Sequence, residues 1–208
     1  MSERLSLDND HWLAAAIAAS PLVSTVFSRW ERLDLPDGWL VAGTVVQTYW
    51  NHAFGYPATH GIDDIDLVYF DDSDLSEDSE AAHQSRVESL FRDVAFRLDV
   101  KNEARVHLWY ERKFGVGISP YPDVASAIET FPTTVGAIGL RPHGHCVEVL
   151  APFGLDDLQN LVVRPNKKQV TQRVYESKVE RWRTRWPDLD FLPWTCERQG
   201  DPRFSSST

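Results

Sequence analysis

One segment constrains this chain more than any other: Gly61-Ile-Asp-Asp-Ile-Asp-Leu-Val-Tyr-Phe-Asp71. Apart from Asp66, residues 65 to 70 are apolar strand formers, which predicts a buried strand. Two aspartates, Asp64 and Asp66, stand at the mouth of that strand. Side chains at i and i+2 of a strand share a face, about 6.5 Å apart along the chain. Two carboxylates placed so repel each other, and burying them without a partner is costly. A divalent cation removes both problems, and a donor set made only of oxygen suits Mg²⁺ or Mn²⁺ rather than zinc. The competing reading is an acidic loop, Asp63 included, that happens to precede a strand.

A second feature lies upstream. Trp39 to Ala42 reads as a short strand that ends at Gly43-Thr44 and feeds a helix over residues 44 to 53. A helix N-terminus presents backbone N–H groups that suit phosphate. Glycine there lets the backbone approach a ligand closely.

The rest of the chain interleaves helices and strands without a repeat. Helices are expected over 10–19 and from Ser20-Pro21, with Ser20 as N-cap. Further helices are expected from Ser73 to Val94, over 123–130 and over 170–186. Strands are expected over 98–110 (one or two of them), 135–140 and 146–150, the last two joined through Arg141-Pro-His-Gly-His145. This pattern predicts an α+β fold, a mixed sheet with helices packed mainly on one face. At 208 residues one domain is expected over 1–194. It would hold N-terminal helices over 1–32, the sheet core over 39–166 and a C-terminal helix over 168–186, followed by a polar tail over 195–208.

The net charge of −10 argues against long nucleic acid as a partner, since gripping phosphates needs a basic face. It leaves a nucleotide substrate open, because metal ions supply positive charge locally. Two cysteines fifty residues apart, Cys146 and Cys196, form neither a disulfide framework nor a CxxC pair, which points to a reducing compartment. The apolar stretch from Trp12 to Ala19 is too short to span a bilayer and follows acidic residues, so a cytoplasmic protein without a membrane partner is expected.

Gly43-Thr44, a helix, then Asp64-Ile65-Asp66 on a strand resembles the DNA polymerase beta superfamily of nucleotidyltransferases. That superfamily's signature is Gly-Ser, a helix, then two acids one residue apart, with a third carboxylate on a neighbouring strand. The likeness extends to one uncharacterised bacterial branch through Gln47 and Trp50, Asp64 to Asp71, Asp74-Leu75-Ser76, Val100 to His107, Ala151 to Leu158 and Arg164-Pro165-Asn166. Together these cover roughly residues 40 to 166. Thr44 stands where serine is usual, and the spacing from Thr44 to Asp64 is long. The loop from Phe54 to Gly61 accounts for that spacing and offers a cover for the site.

The resemblance implies a polymerase-beta-like nucleotidyltransferase fold and transfer of a nucleoside monophosphate from an NTP to an acceptor hydroxyl, with Mg²⁺ or Mn²⁺ as cofactor. Asp64 and Asp66 would hold the metal. Asp99 is the candidate third acid, sharing a strand face with Lys101 while Leu98 and Val100 face the core; Glu148 competes with it, and Glu103 ranks below both. Gly43, Thr44, Gln47, Lys101 and Asn102 would bind the nucleotide. Arg105 and His107 stay open between site and structure. The alternatives are a protein that keeps the fold and binds nucleotide or metal without catalysis, and a metal-dependent phosphohydrolase.

Overall fold

The computed structural model describes residues 4–7, 10–144 and 146–196. Their elements, in order, are β1 (Arg4–Ser6), α1 (His11–Ala18), α2 (Pro21–Ser28), α3 (Trp30–Leu33), β2 (Trp39–Val41) and α4 (Ala42–Phe54). Then follow β3 (Asp64–Tyr69), α5 (Glu77–Leu90), β4 (Arg97–Asn102), a 3-10 turn (Glu103–Arg105), α6 (Val106–Phe114) and α7 (Val124–Ile128). The chain closes with β5 (Gly139–His143), β6 (Cys146–Leu150), α8 (Asp156–Gln159), β7 (Val162–Val163), α9 (Gln172–Arg185) and β8 (Asp190–Phe191). Residues 197–208, most of the expected polar tail, lie outside the described residues, as does His145.

Six strands form one mixed sheet in the order β1-β6-β5-β2-β3-β4. Only β3 and β4 run parallel in it, joined by the crossover helix α5. The other pairings are antiparallel. Strands β7 and β8 make a separate small parallel pair.

The two faces of the large sheet are unequal. On one, Leu40, Ile65, Leu67, Tyr69, Leu98 and Val100 join a core with residues of α1, α2, α4, α5 and α9. On the other, Trp39, Val41 and Val68 pack in a smaller cluster with Ala137, Leu150 and the short helix α7, through Val124 and Ile128. Helices therefore pack mainly on one face, as the sequence pattern predicts, and the second face stays partly open beyond Val68.

Local chemistry explains most element boundaries. Ser20 caps α2, its hydroxyl accepting from the Val23 N–H at 3.3 Å, with Pro21 in the first turn. Ser76 caps α5, whose first turn carries Glu77, Asp78 and Glu80, where the helix dipole favours negative charge. Asp123 caps α7.

Three expectations need correction. Residues 103–110 are not strand: after Asn102 the chain turns into a 3-10 turn and α6, with Val106 and Tyr110 buried one helical turn apart. The strand expected over 135–140 begins only at Gly139, because Thr133 bridges to Pro165 and its hydroxyl accepts from the Gly136 N–H, bending residues 133–137 into a turn. Helix α5 ends at Leu90 and not near Val94.

Among the described residues no single helix is long and apolar enough to cross a membrane. Helices α1 and α2 together would reach that length but are bent by 83° to each other, and both contribute buried residues to the core.

Candidate active site

The parallel pairing of β3 with β4 gathers the acids. Its register sets Asp64 opposite Arg97, Asp66 opposite Asp99 and Val68 opposite Lys101. Burial alternates along β4, with Leu98, Val100 and Asn102 buried and Arg97, Asp99 and Lys101 on the open face. Asp64, Asp66 and Asp99 thus share one face of two adjacent strands. Neighbouring strands lie about 4.8 Å apart. Glu148 sits on β6, three strand steps from β3 and so roughly 14 Å away on that spacing. Its carboxylate accepts from Arg141 at 2.6 Å, and Arg141 also bonds Asp37 at 2.6 Å and covers the Trp39 ring. Of the two competitors, only Asp99 lies beside Asp66.

The start of α4 is pressed against these acids. Ala42 takes a positive φ of 49°, unusual for a residue with a side chain, as the chain turns from β2 into the helix. A Cβ on Gly43 would come within 2.9 Å of an Asp66 carboxylate oxygen and 3.2 Å of the Gln47 amide, so the close approach requires glycine. Thr44 is fully buried. Its hydroxyl accepts from the Asp66 N–H at 2.9 Å and donates to the Asp64 carbonyl at 3.4 Å, fixing β3 against α4. The hydroxyl expected at a phosphate thus also ties the two elements together. Gln47 serves similarly: with its amide turned to satisfy both neighbours, it donates to the Gly61 carbonyl and accepts from the Trp182 indole, 3.2 Å each.

Helix α9 closes the site from behind. Trp182 and Trp186 pack on Trp50 of α4. The Trp186 indole donates to the buried Asn51 amide at 2.9 Å. Arg185 holds the Gly61 carbonyl and the Asp63 carboxylate, each at 2.6 Å, so Asp63 belongs to a clamp rather than to the acid cluster. Gly61 has φ of 67°, and a Cβ there would strike the Trp186 ring at 2.5 Å. The loop 55–61 is pinned by Asn51, which donates to the carbonyls of Ala58 and His60, and by His60 against the Arg185 carbonyl. Through these bonds the loop braces α9.

Charge around the aspartates is finely matched. Arg97 bonds Asp64 at 2.5 Å, and Lys101 stands 3.1 Å from Asp99. Lys178 of α9 lies over the Trp182 ring at 4.6 Å, with its charge felt by Asp66 and Asp64. Burial, then the charge of Asp64, pushes Asp66 up to about 6; Lys178 and the Thr44 backbone N–H oppose the rise. Burial lowers Lys178 in turn.

The residues fit a hard dication in kind: three carboxylates on one face of two adjacent strands and no soft ligand among them. Their side chains are not drawn into a formed metal cluster, and none occurs among the described residues. Asp64 and Asp99 turn instead to Arg97 and Lys101.

Asn102, expected at the nucleotide, is buried, and its side chain bonds the backbone. Its amide donates to the Asp71 carbonyl at 2.8 Å and accepts from the N–H groups of Asp71 and Ala104, tying the end of β3 to β4. Arg105 is also structural, buried against Glu80 and the Leu75 carbonyl. Sequence reasoning missed Arg97 and Lys178. Arg97 carries a legible signal, since alternation along β4 puts it on the face of Asp99. Lys178 carries none, because α9 reaches the site only through tertiary packing.

Acids paired across β3 and β4 at the open end of a mixed sheet, with a glycine-opened helix beside them, define a polymerase-beta-like nucleotidyltransferase fold. A solved structure described as a CCA-adding enzyme head domain superposes with a TM-score of 0.72 at 23% identity, over 87% of this chain and 94% of that one. A complex of a CCA-adding enzyme with ATP matches more loosely, with a TM-score of 0.49 at 14% identity over 92% of this chain and 43% of that one. The sequence model of a nucleotidyltransferase family matches residues 28–191, and the chain belongs to that family. No curated protein matches the sequence.

Proposed function

We propose that this protein is a metal-dependent nucleotidyltransferase that moves a nucleoside monophosphate from an NTP to an acceptor hydroxyl. The observation that carries the reading is the register of β3 on β4, which sets Asp66 beside Asp99 with Asp64 two residues along the same face. Asp64, Asp66 and Asp99 would hold Mg²⁺ or Mn²⁺, which when bound neutralises triphosphate charge and stabilises the in-line exchange of oxygens at the α-phosphorus. Asp99, partly exposed on the edge strand β4, would accept the acceptor's proton. Lys101 faces the same space and would hold a phosphate. The opening at Gly43 lets the first turn of α4 come close to the substrate. Pyrophosphate leaves.

The acceptor belongs to small molecules, protein side chains or RNA ends; the net charge of −10 makes long nucleic acid the least fitting. A cytoplasmic setting, where NTPs are abundant, completes the reading. One observation favours a second reading, binding without catalysis: Asp64 and Asp99 each hold a basic partner. Incubation with each labelled NTP, Mg²⁺ and a cell extract separates the two. Transfer of label with pyrophosphate release is expected; binding without release supports the second reading, and release of orthophosphate would make the protein a phosphohydrolase.

A further inference from the structure

We infer that Arg97 and Lys178, together with Lys101, form a counter-ion ring that changes partners when substrate arrives: it balances the charge of the three aspartates in the free protein, with Arg97 and Lys101 bonded to Asp64 and Asp99, and takes the triphosphate in the loaded one. The inference rests on the proposed function and deepens it, adding two triphosphate ligands and coupled binding of metal and nucleotide.

The ring is built from two elements, β4 and α9. Arg97 comes from the first residue of β4, bonds Asp64 at 2.5 Å, and its guanidinium also senses Asp99 and Asp66. Lys101 comes from the far end of the same strand face and stands on Asp99 at 3.1 Å. Lys178 comes from α9. Its ammonium rests on Trp182, whose indole reaches Gln47, and Gln47 lies beside Gly43 against Asp66. Arg97 and Lys101 are largely exposed at their tips, with side-chain exposures of 71% and 47%, so both can swing away without disturbing the core. Lys178 is held more tightly, by Trp182 beneath it.

Charge balance gives the exchange its logic. Three aspartates and three basic groups sum to zero. An NTP carrying about four negative charges with two dications, as two-metal sites require, also sums to about zero. The ring can therefore admit the complete pair with no net charge change. Either half alone is opposed: a dication must displace basic groups from their aspartates, and a bare triphosphate meets three carboxylates. Thermodynamic linkage then makes metal and nucleotide each tighten the other. The guanidinium of Arg97 suits a bidentate hold on phosphate, and the ammonium of Lys178 acts as a point charge.

The test titrates Mn²⁺ by its paramagnetic resonance, alone and with a non-hydrolysable ATP, into the wild-type protein and its Arg97→Gln and Lys178→Met variants. Circular dichroism checks the fold of each. The inference expects effects of opposite sign. Mn²⁺ alone should bind about two- to fivefold tighter to each variant, the scale of an exposed ion pair. The Mn²⁺–nucleotide complex should bind at least about tenfold more weakly, the scale of a lost charge-assisted bond. A folded variant that binds Mn²⁺ no tighter, or holds the complex as well as wild type, overturns the ring. If wild-type protein binds Mn²⁺ neither alone nor with nucleotide, the proposed function fails and the ring with it; coupled binding in wild type without the crossing in the variants removes the ring alone.

Discussion

The two faces of the β3–β4 pair are made by the same twelve residues and are chemically opposite. Toward the helices stand Ile65, Leu67, Tyr69, Leu98 and Val100, closed off by α4 and α5. Toward the open side stand Asp64, Asp66, Asp99, Arg97 and Lys101, partly wet and paired by charge. One face supplies stability through area removed from water. The other holds like charges at close range and tolerates the cost because the first face fixes the strands so firmly. Strain at Ala42 and the glycine opening at Gly43 lie on the charged side too. Rigidity and reactivity are thus segregated by the alternation of a strand.

That contrast can be broken from either side. The largest effect is expected from Asp66→Asn with Asp64→Asn: pyrophosphate release should fall by about 10³-fold or more, since the change removes the charge on which metal and triphosphate would depend. The same double variant should fold normally. On the other face, Leu67→Ala should cost about 2–5 kcal/mol in denaturant unfolding, through lost transfer energy and a cavity beneath α4.

Glu103 sharpens the comparison from the edge of the site. It is buried, and burial with Glu80 and Asp99 nearby pushes it up to about 8, against the pull of Lys101. A carboxyl whose folded value is raised contributes stability that is fully present below its ordinary value near 4.5 and is lost as pH rises through 8. Asp66 behaves alike, its contribution lost as pH rises through about 6. Metal-free protein should therefore melt higher at pH 5 than at pH 9. Glu103→Gln should match wild type at pH 5 and exceed it by about 2–3 kcal/mol at pH 9, as read from paired denaturant curves. The smallest effect is expected from Gly43→Ala. Its Cβ meets side-chain ends, those of Asp66 and Gln47, and no backbone, so the melting temperature should move by only a few degrees, yet turnover should drop about tenfold as the carboxylate is pushed aside.

Much of this arrangement is legible in the chain. The apolar run after Asp64 marks β3 as buried, and alternation around Leu98 and Val100 gives the face of Asp99. Ser20, with Pro21 after it, announces its helix. The losses have physical causes. Val106 and Tyr110 sit in a segment whose apolar residues suit either period, and Asn102, by capping the 3-10 turn, decides for helix. Thr44, Gln47 and Asn102 carry polar groups that look available in sequence, and only the fold shows that neighbouring backbone and indole groups occupy them. Lys178 is invisible because no local pattern states that α9 returns to β3.

The account's central claim is that the three aspartates together hold a dication under a triphosphate. It is tested most directly by crystals of the protein grown with Mn²⁺ and a non-hydrolysable NTP, read by anomalous scattering. The claim predicts a Mn²⁺ peak about 2.2 Å from carboxylate oxygens of Asp64 and Asp66, with Asp99 close by and Arg97 and Lys101 turned away from them. Nucleotide bound with Asp64 still on Arg97, Asp99 still on Lys101 and no anomalous peak between the strands would contradict it.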